Sequence, residues 1–296
     1  MKIKIILTII AITTLSSCSF NNIYLQPIKI PADAKEVRMF SSSDTTLVMF
    51  VPDTHQPTFL KNNIDTMEFD FTIESVVFKS SNGHKLNGWM LKPKNQIPTI
   101  TLIHFHGNAG FILSQYQAIS PLLKYGFQIF MFDYSGFGFS EGKETRENVL
   151  IDANSALDYV ICRPDIKNTK LVIYGQSLGG HLSAVVAEQR QSEIDGLVIE
   201  AAFSSHKDIA AVMAGIFGRM FVCEKYSACE SIKNYKKPVL IIHSSEDETV
   251  PFEMGQKLYS NANIPKEFYE IKKRHIRGPE FYGDSISSKI INMLSK

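Results

Sequence analysis

The chain holds the run Gly175-Gln176-Ser177-Leu178-Gly179, a hydroxyl set between two glycines. On a tight turn from a strand into a helix, this spacing has a specific use. The glycines leave room for a sharp backbone turn, and the serine protrudes at the helix N-terminus. There, backbone N–H groups and the helix dipole favour developing negative charge. The chemistry such a residue performs is nucleophilic attack. A glycine-rich connection without chemistry is the alternative, because glycines gather at such turns for steric reasons alone.

A serine is a poor nucleophile without a base, and the base needs an orienting acid. Where a nucleophile turn follows a strand of a covered parallel sheet, the chain order is serine, acid, histidine. The histidines after Ser177 are His181, His206, His243 and His275. The acid should lie just past a strand. The apolar run 239–243 is followed by Ser244-Ser245-Glu246-Asp247-Glu248, and His275 is the one histidine beyond it. Asp247 has the short reach suited to a tight turn before Val250-Pro251, with Glu246 and Glu248 as neighbouring alternatives. His181 should point along its helix rather than back at the hydroxyl. His243 reads as a hydrogen-bonded core residue.

Attack on a carbonyl leaves an oxyanion that needs two backbone donors. One is the amide of Leu178, directly after the serine. The other belongs to the loop His104-Phe105-His106-Gly107-Asn108-Ala109-Gly110, whose small residues allow close approach. Asn108 is the expected donor and Ala109 the one-residue alternative. His104 and His106 share a face of an extended strand, the H-x-H spacing of some zinc sites. No third ligand follows within twenty residues, and Asp133 comes only after another strand. No metal and no cofactor is therefore expected. The run Asp133 to Gly142 lacks the Gly-Lys-Ser/Thr ending of a phosphate loop and reads as a structural loop lining the site.

The elements that must position these residues are legible as alternating apolar runs and helical patterns. Residues 72–78 and 85–91 form a hairpin about Ser81-Asn82-Gly83. Short apolar strands follow at 99–105, 127–132, 171–174, 197–201, 239–243 and 267–271. Helices are expected at 113–125, 145–162, 178–190, 252–260 and 281–294. Continuous apolar strands alternating with helices specify an α/β fold whose parallel sheet is covered on both faces, with antiparallel strands at the N-terminal edge. Such sheets carry function beyond the carboxyl ends of their strands. Residues 203–236 form an insertion rich in apolar side chains, from Ile209 to Val222, and residues 204–236 are a candidate small lid.

The ends and the composition place further limits. Net charge is +1, from 31 Lys and Arg against 30 Asp and Glu, which gives no electrostatic case for nucleic acid. Lys2 and Lys4 precede eleven mostly apolar residues, 5–15, too few to span a bilayer. Leu15-Ser16-Ser17-Cys18 then resembles the lipobox of bacterial lipoproteins. That likeness implies a signal peptide at 1–17, a lipidated Cys18, and a bacterial cell-envelope protein held at the membrane by its anchor. Residues 18–70, with Pro27, Pro31, Pro52 and Pro57, are expected to be a lipidated tether and an irregular lead-in, with a short strand near 46–51. Cys223 and Cys229 are close enough in sequence to bridge, a pairing left open, and Cys162 is expected as a small buried residue.

Four motifs in order, His104-Phe105-His106-Gly107-Asn108-Ala109-Gly110, the Asp133–Gly142 run, Tyr174-Gly175-Gln176-Ser177-Leu178-Gly179-Gly180 and the Asp247 segment ending in Val250-Pro251, resemble the α/β-hydrolase superfamily. The nearer likeness is to BEM46-like and serine aminopeptidase-type hydrolases. It covers about residues 71–296. It implies a catalytic Ser177, Asp247 and His275 with Asn108 and Leu178 as oxyanion donors. One departure is the charged setting of the histidine, Lys273-Arg274-His275-Ile276-Arg277, where the family commonly has small residues. The expected activity is hydrolysis of an ester, thioester or amide of a small-molecule or acylated substrate through an acyl-enzyme. A peptidase of the same fold and a non-catalytic envelope scaffold are the alternatives.

Overall fold

A computed structural model describes residues 24–40, 45–62 and 64–295. The expected signal segment 1–17 and Cys18 lie outside the described residues. No helix among the described residues is long and apolar enough to cross a membrane.

Strands β1 (Gln26–Pro27), β2 (Glu36–Phe40), β3 (Thr45–Phe50), β4 (Pro57–Lys61) and β5 (Asp65–Thr66) precede the main sheet. The main sheet takes β6 (Phe71–Lys79), β7 (Lys85–Pro93) and β8 (Ile100–Phe105), then, past the short β9 (Ala109–Gly110), β10 (Phe127–Phe132), β11 (Lys170–Gln176), β12 (Gly196–Glu200), β13 (Val239–Ser244) and β14 (Lys266–Ile271). The order across its eight strands is β14-β13-β12-β11-β8-β10-β7-β6. Every pair from β14 to β10 is parallel. The β6–β7 hairpin is antiparallel and joins β10 in antiparallel register. This is the α/β fold expected, with its antiparallel edge where the Ser81-Asn82-Gly83 turn placed it.

The continuous apolar runs have a direct cause. All six residues of β8, β10 and β13 are buried. Alternate residues face opposite ways along a strand. Ile103, Phe105, Ile173, Ile199 and Ile241 therefore enter one core layer, and Leu102, Val172, Val198, Leu240 and Ile242 the other. Helices α1 (Ile112–Ile119) and α7 (Gly278–Leu294) pack into the second layer. Helices α2 (Arg146–Ile161) and α3 (Leu178–Gln189) pack into the first. Among the described residues the remaining α-helices are α4 (His206–Ala214), the single turn α5 (Ala228–Ser231) and α6 (Phe252–Asn261).

The lead-in differs from the irregular segment expected. Strands β2 to β5 form an antiparallel sheet of their own, and the expected strand near 46–51 is one member of it. Val48, Phe50 and Phe59 bury against the second core layer, with the Phe59 ring 5.6 Å from Tyr116 and 6.3 Å from Trp89. Its strands are short, and Pro57 sits at the first residue of β4, one of the few strand positions that proline tolerates. Periodicity over five residues is too brief to read. Cys162 also corrects the expectation, being exposed just past α2, while Cys223 and Cys229, whose pairing was left open, are free thiols.

Candidate active site

Ser177 stands between the last residue of β11 and the first of α3, with φ 56° and ψ −115°. A non-glycine residue held there stores strain of about 1–3 kcal/mol, which the surrounding structure must impose. Here it does. The Ser177 N–H donates to the Glu200 carbonyl at 2.9 Å, and the Ser177 carbonyl accepts from His181 N–H at 3.0 Å. A Cβ on Gly179 would overlap the Phe105 and His106 carbonyls, and one on Gly175 would overlap the Gly179 carbonyl. The two glycines of the motif are therefore required by backbone crossing behind the serine. Ser177 itself is half-buried while its neighbours Gln176 and Leu178 are buried.

Asp247 and His275 meet, 28 residues apart in sequence. The His275 Nδ1–H donates to Asp247 Oδ2 at 2.8 Å. The Asp247 side chain is 0% exposed and that of His275 14%. The other carboxylate oxygen, Oδ1, accepts from Thr249 N–H at 2.8 Å and Val250 N–H at 2.9 Å. Burial alone would raise this carboxyl's pKa. The bond and charge of His275, with the two amides, outweigh it and hold the pKa below the usual aspartate range. Because Nδ1 is committed as the donor, Nε2 is the atom left to accept a proton.

Charge around His275 is organised. Arg274 Nε donates to Glu248 Oε1 at 3.1 Å, and Glu248 Oε2 accepts from the His275 N–H at 3.2 Å. Arg277 pairs with Glu280, and Lys273 Nζ sits 4.6 Å from the Phe281 ring. The basic neighbours thus each have a partner on the surface. Ile276, next in sequence, has φ 50°. A β-branched residue there is a genuine outlier, a strain that the surrounding loop must impose.

The loop expected to hold the second backbone donor lies beside Ser177. Gly107 passes close to Ser177: a Cβ on it would lie 3.7 Å from Ser177 Cβ. His106 Nδ1–H donates to the Gly107 carbonyl at 2.7 Å. Across a trans peptide the N–H of Asn108 points opposite to that carbonyl, so the buried ring sets the direction of the Asn108 amide. Leu178 opens α3, where its N–H has no intrahelical acceptor. His104 Nε2–H donates to Gln176 Oε1 at 2.9 Å. Burial lowers the pKa values of His104 and His106 to about 4 and about 3, so both rings are neutral braces.

The Asp133–Gly142 loop lies under the site rather than lining it, which corrects the expectation. Asp133 Oδ1 accepts from Ile112 N–H at 2.7 Å at the start of α1, and Tyr134 Oη donates to the His106 carbonyl at 3.1 Å. His181 turns away from the serine, as expected, donating Nδ1–H to the Phe203 carbonyl at 3.1 Å. His243 is buried, with Nε2–H donating to the Val250 carbonyl at 3.0 Å.

Ser177, Leu178, Gly107, Asn108 and His275 line one cavity of about 410 Å³, whose remaining wall is largely apolar: Tyr24, Phe203, Ile209, Val212, Met213, Val250 and Ile276. A larger cavity of about 560 Å³ lies at Glu68–Phe71 and Pro121–Lys124 and contains none of the strand-end residues. Among the described residues, one group has metal-ligand spacing: His181, His206 and Glu224, with ligand atoms within 4.8 Å of one another. Glu224 already accepts from the His206 N–H, the Lys207 N–H and His206 Nδ1–H, which makes it a cap on α4.

Two contributors were not foreseen. Glu200, at the end of β12, is fully buried. It accepts from Gln176 Nε2 at 2.7 Å, Tyr174 Oη at 2.8 Å and Gly278 N–H at 2.7 Å. It therefore ties β11, the strand that leads into Ser177, to the start of α7 just past His275. Burial raises its pKa, and these donors offset part of the rise. The signal available was an acid ending an apolar strand, Leu197-Val198-Ile199-Glu200. The second contributor is the segment expected as tether. Strand β1 pairs in parallel with β9. Asn108 Oδ1 accepts from Gln26 N–H at 3.1 Å, and Asn108 Nδ2 donates to the Tyr24 carbonyl.

Comparison with known proteins agrees with this architecture. A family profile described as alpha/beta hydrolase fold matches residues 100–221. The Salmonella typhi protein YfhR, itself uncharacterized, is 38% identical over 210 residues, covering 66% of this chain and 71% of YfhR. Protein bem46 of Schizosaccharomyces pombe is 29% identical, covering 80% of this chain and 81% of its own. Among solved structures, Est1E from Butyrivibrio proteoclasticus with ferulic acid bound superposes with a TM-score of 0.64 at 20% identity, over 75% of this chain and all of that one.

Proposed function

This chain belongs to the α/β-hydrolase family, and from that premise we propose that it is a serine hydrolase of acyl esters. Ser177 Oγ attacks the acyl carbonyl while His275 Nε2 takes its proton. Asp247 fixes the imidazole and balances the imidazolium. The Asn108 and Leu178 amides stabilise the oxyanion. His275 then returns the proton to the departing alcohol as the carbon–oxygen bond breaks, leaving an acyl-serine. Water, deprotonated by the same nitrogen, releases the acid. Thioesters and amides fit the same sequence with a thiol or amine leaving.

One observation carries the reading: the 2.8 Å Asp247–His275 bond lies in a loop whose histidine shares a cavity with a strained serine. The lining favours an acyl group over a free amino terminus. Among the described residues it includes no Asp or Glu to meet an ammonium. A fluorophosphonate probe should give one adduct, and peptide mass spectrometry should place it on Ser177. Labelling at another residue, or none in folded protein, would sink the reading and favour the scaffold alternative.

We also propose Cys18 as the lipidated N-terminus that holds the protein at a bacterial cell envelope. The support is the Leu15-Ser16-Ser17-Cys18 sequence after a charged and apolar lead. Cys18→Ala should move the protein out of the membrane fraction. Unchanged fractionation of that variant would exclude the anchor.

A further inference from the structure

The insertion after β12 leaves apolar surface that the core does not use. From Ile209 to Cys223 there is one charged residue, Arg219, and no carboxylate. Helix α4 turns at Gly215 (φ 70°) into a 3-10 turn, Ile216–Phe221. Gly218 lets the two pack tightly, because a Cβ there would overlap the Ala210 carbonyl. The hairpin so formed has two faces. Ile209, Val212 and Met213 line the cavity that holds Ser177 and His275. Ile216, Phe217, Met220 and Phe221 are exposed, Phe217 at 69% and Met220 at 73%. Arg219 is turned to Asp208, which also binds Lys257 at 2.7 Å.

We propose that this outer face rests on a lipid surface, so that the cavity opens at the surface and takes a substrate whose acyl chain is presented from lipid. Three observations select that occupant. Large apolar side chains clustered at a site mouth mark an interaction surface rather than ordinary exposure. A segment of exposed aromatic and aliphatic side chains, whose one cation is already paired with Asp208, suits insertion into a lipid interface through its apolar face. The chain also arrives here: Tyr24 and Gln26 line the same cavity as Val212 and Met213. Residue 18 is six residues before Tyr24, so the chain between them reaches no more than about 20 Å from that cavity-lining residue. The apolar stretch 5–15, with Lys2 and Lys4, precedes it. A second copy of this chain is a poorer occupant. The exposed side chains amount to something on the order of 600 Å², short of the roughly 800 Å² per partner that a stable pair buries.

The surface contact stands apart from catalysis, and only the choice of substrate rests on the serine-hydrolase reading. Two measurements on full-length protein in phosphatidylglycerol–phosphatidylethanolamine vesicles separate them. Trp89, the single native tryptophan, is buried in the core and gives a constant background. The indole introduced by Phe217→Trp should lose most of its emission when the lipids carry brominated acyl chains. Equal emission with and without bromine overturns the proposal, whether the face is bare, covered by a second copy or covered by the chain's own first 23 residues. In the second arm, Phe217→Ser with Met220→Ser and Phe221→Ser should keep wild-type turnover of a soluble acetate ester and lose about tenfold or more on a long-chain ester held in vesicles. Equal loss on both substrates, or loss on neither, also overturns it. An inactive wild type would reject the hydrolase reading and leave the quenching result to decide the surface.

Discussion

Ser177→Ala will leave a folded protein whose ester turnover is lower by about 10,000- to 1,000,000-fold, the range seen when a triad nucleophile is removed. The loss should fall on kcat, because the cavity wall that holds an acyl group does not depend on one hydroxyl. What survives comes from the oxyanion donors and from substrate binding, neither of which the substitution touches. A second variant makes the result specific to this turn. The serine is held at φ 56°, where glycine pays no steric penalty. Ser177→Gly should therefore abolish turnover and raise unfolding stability, by about 1 kcal/mol. A structural turn residue would show the stability gain without the kinetic loss. Thermal unfolding and steady-state rates on one soluble ester test both. Activity of Ser177→Ala within tenfold of wild type would end the proposal that this hydroxyl is the nucleophile.

The sheet was legible because each parallel strand is buried on both faces and so appears as an uninterrupted apolar run, with turn chemistry at its carboxyl end. The positions of Ser177, Asp247 and His275 followed from those runs, since each stands just past one of them. What sequence could not show is contact made through backbone groups over long separations. Asn108 is held by the carbonyl of Tyr24 and the N–H of Gln26, 84 and 82 residues away. No side-chain pattern at 24–27 announces that a peptide unit there will meet an asparagine. Glu200 was hidden differently. A lone acid after Leu197-Val198-Ile199 is visible, yet its three donors come from β11 and from the start of α7, elements that only the strand order brings together. Of the β2–β5 sheet only the strand near 46–51 was legible, because the others are five residues or shorter. The charges around His275 were visible, but not their partners. Glu248 and Glu280 answer Arg274 and Arg277, and so the basic context does not leave a bare field on the imidazole.

The same loop yields the second large effect, because Asp247 and Glu248 are adjacent and their roles are separable. Asp247→Asn should lower kcat by about 10,000-fold, and Glu248→Gln by no more than a few-fold. The reason is the direction of one proton. Asp247 Oδ1 accepts from the Thr249 and Val250 amides, so an asparagine must keep its carbonyl oxygen there. Its NH₂ then faces His275 Nδ1, which must become an acceptor. The imidazole proton moves to Nε2, the atom that should take the proton of Ser177. The side-chain size hardly changes, so folding should survive and KM should hold. Glu248 instead reaches the His275 backbone N–H and the Arg274 guanidinium on the surface. Its loss weakens the loop and removes a partner of Arg274, at the surface where solvent screens the charge. If Glu248→Gln were the crippled variant and Asp247→Asn nearly active, the orienting acid would be Glu248, and the buried Asp247–His275 bond would be a structural clasp.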